Sequence, residues 1–268
     1  MKNKTKLGGI VVCLLLTLPQ RLSAQPTPIQ EDTRTNKVYH VNRWVSGGII
    51  LAGVYTNQIA RDRLSKKPTI TEDNINRIIT LGTNRFDRSA LRQDISKREN
   101  AASFSDALLL GSSAAPLLLF LDKDIRESWL DIGIMYAETQ IINLNMYAWS
   151  PIGPAFVERY RPVVYYSDLP IEERNYSGLR NSFFSGHTSS TATATFFMAK
   201  VYNDYHHDLG GKKYMIYGLA AIPPTVMGIY RIKALRHFPS DVIVGGLVGA
   251  GVGILIPELH RRWQGRLN

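Results

Sequence analysis

Residues 241–257 read Asp-Val-Ile-Val-Gly-Gly-Leu-Val-Gly-Ala-Gly-Val-Gly-Ile-Leu-Ile-Pro, and this stretch decides the fold. From Val242 to Ile256 it is uncharged and carries Gly245, Gly246, Gly249, Gly251 and Gly253. It lacks the period of two that marks a strand. It reads as a buried or membrane helix, whose small residues suit close helix–helix approach in lipid.

Outward from it, stretches 107–121, 129–149, 188–202 and 214–230 share that composition and also lack strand periodicity. Several approach the ~17–20 residues at the lower end for crossing a bilayer. Trp129, Trp149 and Trp263 fall near segment ends, as an aromatic belt places them. Against a membrane reading stand Asp131, Glu138, Asn143 and Asn145 within one stretch, and a mean hydropathy of -0.12. A soluble all-helical secreted protein is the competitor. The sequence predicts an all-α helical bundle, membrane-embedded, with about five or six spans. The count turns on the uncharged segment 44–60.

Residues 1–24 read as a secretory signal: Lys2, Lys4 and Lys6, then apolar Leu7–Leu18, then the small-residue site Ser23-Ala24. Cys13, the one cysteine, lies inside it, so cleavage leaves a chain without thiols. The formal charge of +10 then falls to +6 with the loss of Lys2, Lys4, Lys6 and Arg21. A moderate positive charge suits an anionic membrane surface or a phosphorylated substrate. An exported chain without a basic stripe among aromatics is not a nucleic-acid binder. Residues 25–104 form a polar leader and a basic region, with helical spacing of Ile75, Ile78, Ile79 and Leu81. The apolar helical domain covers 105–257, and 258–268 is a basic tail. Oligomeric state has no signature.

The polar chemistry lies between the helices. His237 follows Arg231 by six residues and precedes Asp241 by four. Asp241 is placed to accept from one ring nitrogen of His237, leaving the other free to attack phosphorus, and Ser240 is a good N-cap. Ser185-Gly186-His187 opens another helix, whose free amides bind anions and whose histidine can protonate a departing alkoxide. Arg159 and Arg161-Pro162 lie upstream. Each motif alone is better read as a cap, a turn or a basic pair. The loops 150–187 and 231–241 share one face, because two spans separate them. With that face exported, Lys212, Lys213, Arg261, Arg262 and Arg266 lie in the cytoplasm, as the positive-inside rule prefers. A crossing by 44–60 after signal cleavage reverses this; an uncleaved, spanning signal restores it.

Taken together, the motifs resemble the type-2 phosphatidic acid phosphatase family, whose relatives are the bacterial non-specific acid phosphatases and the vanadium haloperoxidases. The family pattern is Lys-x6-Arg-Pro, Pro-Ser-Gly-His and Ser-Arg-x5-His-x3-Asp. Arg161-Pro162, Ser185-Gly186-His187, and Arg231, His237 and Asp241 match it. The resemblance implies a metal-free, cofactor-free phosphatase. His237 would form a phosphohistidine, oriented by Asp241. His187 would protonate the leaving oxygen. Arg161, Arg231, Ser185 and Gly186 would bind the phosphoryl group. The family lysine falls on Pro154, and Arg159 is placed to take over its charge. Phe184 and Tyr230 replace the proline and serine of the later motifs.

A lipid phosphate is the expected substrate: phosphatidic acid, an isoprenyl diphosphate or a lipid A phosphate. The site is expected to face the periplasm or cell exterior. The alternatives are a soluble exported acid phosphatase, a vanadate-dependent haloperoxidase and a non-catalytic lipid-phosphate-binding protein. Among other polar groups, His206 and His207 read as a solvated turn, and Glu138 is a functional flag if its segment spans lipid.

Overall fold

The computed structural model describes residues 37–264, and the regular elements among them are all helical. They are α1 (Arg43–Ser65), α2 (Glu72–Leu81), α3 (Arg98–Ala114), α4 (Lys123–Arg126), α5 (Trp129–Trp149), α6 (Gly186–Tyr205), α7 (Lys212–Ala220), α8 (Ile222–Lys233) and α9 (Pro239–Gln264), joined by short 3₁₀ turns. The expected signal segment 1–24, the leader to residue 36 and residues 265–268 of the tail lie outside the described residues.

The glycine-rich stretch forms α9, which runs parallel to α6. A Cβ on Gly245, Gly249 or Gly253 would stand 2.6, 2.1 or 2.6 Å from the carbonyl oxygens of Ser185, Ser189 and Thr193 respectively. Only a bare backbone fits at that separation, and the four-residue step keeps it on one face. Gly251 meets open space and Gly246 only the Thr188 methyl at 3.8 Å, so the other two glycines make no such approach.

Proline sets two of the breaks. Pro116 lies just past α3, and the chain continues as a 3₁₀ turn to Leu121; Pro223 and Pro224 open α8 after a step from α7. Residues 95–121, 212–233 and 239–263 are long and apolar enough to cross a membrane. The expected five or six spans are not reached on that criterion. α6 falls short because its buried face is built from Thr188, Ser189, Thr191, Thr193 and Thr195, whose hydroxyls need partners. Thr193 Oγ1 donates to the Ser189 carbonyl at 2.8 Å, and Thr195 Oγ1 to the Ala220 carbonyl at 2.8 Å. α6 is the polar spine around which the apolar helices pack. Their outer faces carry Leu110, Leu117, Leu121, Leu247 and Leu255, 59% to 77% exposed. An apolar surface of that extent belongs in lipid. The chain is a membrane protein.

The basic region 61–104 forms a collar. Thr71 caps α2 by accepting from Asn74 N at 3.2 Å. Ile75 and Ile78 of α2, with Ile70, pack on Val163, Val164, Leu179 and Leu235. That cluster underlies both the Arg161 segment and the turn before His237. Since α8 runs up to that turn and α9 away from it, Lys212, Lys213, Arg261 and Arg262 lie at the opposite end of the bundle.

Candidate active site

The turn between α8 and α9 presents His237. Leu235 adopts φ 58, an unusual conformation for leucine, and its fully buried side chain anchors it in the cluster under the collar. The turn closes with Arg236 N donating to the Arg231 carbonyl at 3.1 Å. His237 is 2% exposed, and its Nδ1 lies 2.7 Å from the Ser182 carbonyl oxygen. A carbonyl only accepts, so Nδ1 carries the hydrogen and Nε2 of the neutral ring keeps its lone pair. Burial, with Arg161 and Arg231 nearby, pushes the imidazolium pKa down to about 3 despite the Asp241 carboxylate.

Asp241 therefore acts one step back from its expected place. Its Oδ2 is 3.7 Å from His237 Nδ1, beyond hydrogen-bond reach. It accepts instead from Ser182 Oγ at 2.6 Å and Phe238 N at 2.8 Å, and it pairs with Arg159. Asp241 thus holds Ser182, and Ser182 holds the histidine.

Arg159 differs more from expectation. Its guanidinium bridges two fully buried carboxylates, Asp241 and, at 2.6 Å, Asp87 of the collar. Asp87 also accepts from Ser240 N at 3.0 Å, Ser240 Oγ at 2.9 Å and Asn84 Nδ2 at 2.7 Å. The expected cap Ser240 is occupied by this bond, and α9 begins at Pro239. Both terminal nitrogens of Arg159 are thus engaged within the protein, Nη1 by Asp241 and Ser240 and Nη2 by Asp87. The ammonium of Lys67 reaches the Pro154 carbonyl oxygen at 2.6 Å and Asn181 Oδ1 at 2.8 Å. A lysine does approach position 154, but it braces the loop.

The second histidine is held loosely. His187 lies in the first turn of α6, its side chain 30% exposed, with Nε2 2.9 Å from Asp106 Oδ1. Burial and the charge of Arg231 lower its pKa to about 4, against the pull of Asp106. Arg231 Nη1 donates to Ser105 Oγ at 3.1 Å and reaches Asp106 at 3.5 Å; its Nε has no partner. Arg161 also buries an unpartnered Nε. Burial is the main cause that lowers the Arg161 pKa. Ser185 caps α6, its hydroxyl 2.8 Å from Thr188 Oγ1 and accepting from Thr188 N at 3.3 Å. The Tyr147 ring lies under Gly186, 3.6 Å from where a Cβ would be.

Two buried guanidiniums with open valences thus converge near a neutral histidine with a bare nitrogen and a second histidine. Such a site is built to receive an oxyanion. The PAP2 superfamily matches residues 128–264, just over half of the chain. The chain belongs to the PAP2 superfamily. It is a PAP2 phosphatase. No curated protein matches it. Among solved structures, the first transmembrane PAP2-type phosphatidylglycerolphosphate phosphatase from Bacillus subtilis is similar over 84% of this chain and 94% of that chain, with 18% identity and a TM-score of 0.34.

Several groups of this PAP2 site escaped the sequence reading: Asp87, Asp106 and Ser182. Asp106 left a signal, since a lone acid bordering an apolar stretch calls for a partner. Glu138, which drew that attention instead, pairs with His260 at 3.1 Å, and His206 pairs with Asp122 at 2.9 Å.

Proposed function

We propose that this PAP2 phosphatase hydrolyses lipid phosphates, monoesters or diphosphates, through a phosphohistidine on His237 and without a metal. The observation that carries this is the fixed tautomer of His237, hydrogen on Nδ1 and lone pair on Nε2. Nε2 attacks phosphorus, a P–N bond forms and the bridging P–O bond breaks. Protonated His187 gives its proton to the departing oxygen. Neutral His187 then takes a proton from water, whose oxygen bonds phosphorus as the P–N bond breaks. Arg161, Arg231 and the Gly186 amide hold the three phosphoryl oxygens.

A lipid tail has a place to lie. A groove of about 430 Å³ runs between α6, α8 and α9, lined by Phe196, Ile229, Val242 and Leu247, with Thr188 and Pro239 at its end near the histidines. The site faces the periplasm or cell exterior in this reading, which leaves Lys212, Lys213, Arg261 and Arg262 cytoplasmic. α1 then begins on the cytoplasmic side, beside His260.

The test is phosphate release by purified protein in EDTA from phosphatidic acid, a prenyl diphosphate and a soluble aryl phosphate, with His237→Ala as control. Release from a lipid, lost in the variant, is the expected result. Release from the aryl ester alone overturns the lipid substrate in favour of a non-specific phosphatase. Binding without release from any substrate overturns the enzymatic reading in favour of a lipid-phosphate-binding protein.

A further inference from the structure

The phosphoryl cradle has a third guanidinium that neither its motifs nor its mechanism uses. Arg236 directly precedes His237 and is half-buried. Its Nη1 donates to the Tyr176 hydroxyl at 2.8 Å. Tyr176 is 41% exposed, so the pair opens outward. Arg236 lies within electrostatic reach of both Arg161 and Arg231, and Tyr176 within reach of Arg161.

The partners of the nearby cations separate their roles. Arg159 is neutralised by two carboxylates, and Lys67 is turned to the Pro154 carbonyl. Among the described residues neither Arg161 nor Arg236 forms an ion pair, and Arg231 has only the exposed Asp106 at 3.5 Å. Three like charges held together with so little compensation are matched best by an anion carrying more than one phosphate's charge. A diphosphate has that charge, on two groups sharing one bridging oxygen. Guanidinium is suited to such oxyanions because its planar fork binds two oxygens at once.

Resting on the phosphatase reading above, we propose that Arg236, steadied by Tyr176, forms a second anion subsite that takes the non-transferred phosphate of a diphosphate substrate. Arg161 and Arg231 hold the phosphoryl group that moves. Arg236 holds the one that leaves with the lipid. It stabilises the charge left there when the bridging P–O bond breaks.

The experiment has a kinetic and a binding arm. Wild type, Arg236→Ala, Arg236→Lys and Tyr176→Phe are compared on a prenyl diphosphate and the prenyl monophosphate of the same chain. The expected result is a wild-type preference in kcat/KM for the diphosphate. Arg236→Ala shrinks that preference by about 10- to 100-fold, the worth of a lost charged hydrogen-bonded pair. Arg236→Lys keeps part of it, and Tyr176→Phe loses only a few-fold. An equal loss on both substrates overturns the proposal and puts Arg236 on the transferred phosphoryl group. In the binding arm, wild type binds inorganic pyrophosphate more tightly than inorganic phosphate, and Arg236→Ala loses that margin. Equal affinity for the two anions in wild type overturns the subsite. A protein that releases no phosphate yet shows the pyrophosphate margin overturns the phosphatase reading and leaves the subsite standing.

Discussion

The two histidines of this site are held in opposite ways. His237 is sealed at the base of a chain of fixed partners: Ser182, Asp241, Arg159 and Asp87, each meeting the next. His187 stands at the mouth, partly exposed, on a carboxylate whose side chain is 64% exposed. The difference matches two tasks. A nucleophile gains from one rigid geometry and one tautomer, set before substrate arrives. A group that gives and then takes a proton must change state within each turnover, and it gains from neighbours that tune its pKa. Rigid and tunable halves meet across Arg161 and Arg231.

The largest effect that would break this comparison lies on the sealed side. His237→Gln should lower kcat/KM on the order of 10^4-fold or more, because neither nucleophile nor bypass remains. A loss below about 100-fold would mean that His237 only assists. On the open side, His187→Ala should cost on the order of 10^2- to 10^4-fold for an alkyl phosphate and far less for a nitrophenyl ester, whose leaving group needs no proton. Equal losses on both esters would remove His187 from the proton-donor role.

Arg159→Ala tests the sealed side by stability. It leaves Asp87 and Asp241 buried without their cation, a cost of about 3–5 kcal/mol. Thermal unfolding in detergent should show it, and turnover of the remaining folded protein should fall less than in His187→Ala. Unchanged unfolding with lost turnover would instead make Arg159 a phosphate ligand.

Arg159 also shows where sequence reading stops. Motif order, through the family resemblance it carries, was enough to group Arg161, His187, Arg231 and His237, which lie where helices end or open. Composition showed that 242–257 packs closely, though not that Gly245, Gly249 and Gly253 make the contact while Gly251 faces outward. Neither could show that Asp87 crosses from the collar to occupy Arg159, since those residues are 72 apart and no motif links them. The role of Asp241 was misplaced by one link for a similar reason: Ser182 reaches His237 through its backbone carbonyl, a group that every residue type carries. On length and composition, three of the expected five or six spans qualify among the described residues. α6 looks helical and central from its small residues, yet its threonines make it a core element.

The smallest effect, and the finest test of the open side, belongs to Asp106. Its carboxylate raises the His187 pKa, while burial and Arg231 hold it at about 4. In the proposed mechanism His187 must be protonated to act, so in free enzyme kcat/KM should fall as pH rises through about 4. Asp106→Asn removes the raising influence, and that limb should move to lower pH. Bound phosphate neutralises the arginines that depress His187, so the limb in kcat should lie at higher pH than the limb in kcat/KM. The same substitution takes a negative charge away from Arg231 and from the place where phosphate binds. Inhibition by inorganic phosphate should therefore tighten by a few-fold while kcat declines. These opposite signs are the signature of a tuning group. A 10^3-fold collapse of turnover with no shift of the limb would instead make Asp106 part of the fixed machinery, and the two histidines would no longer differ in kind.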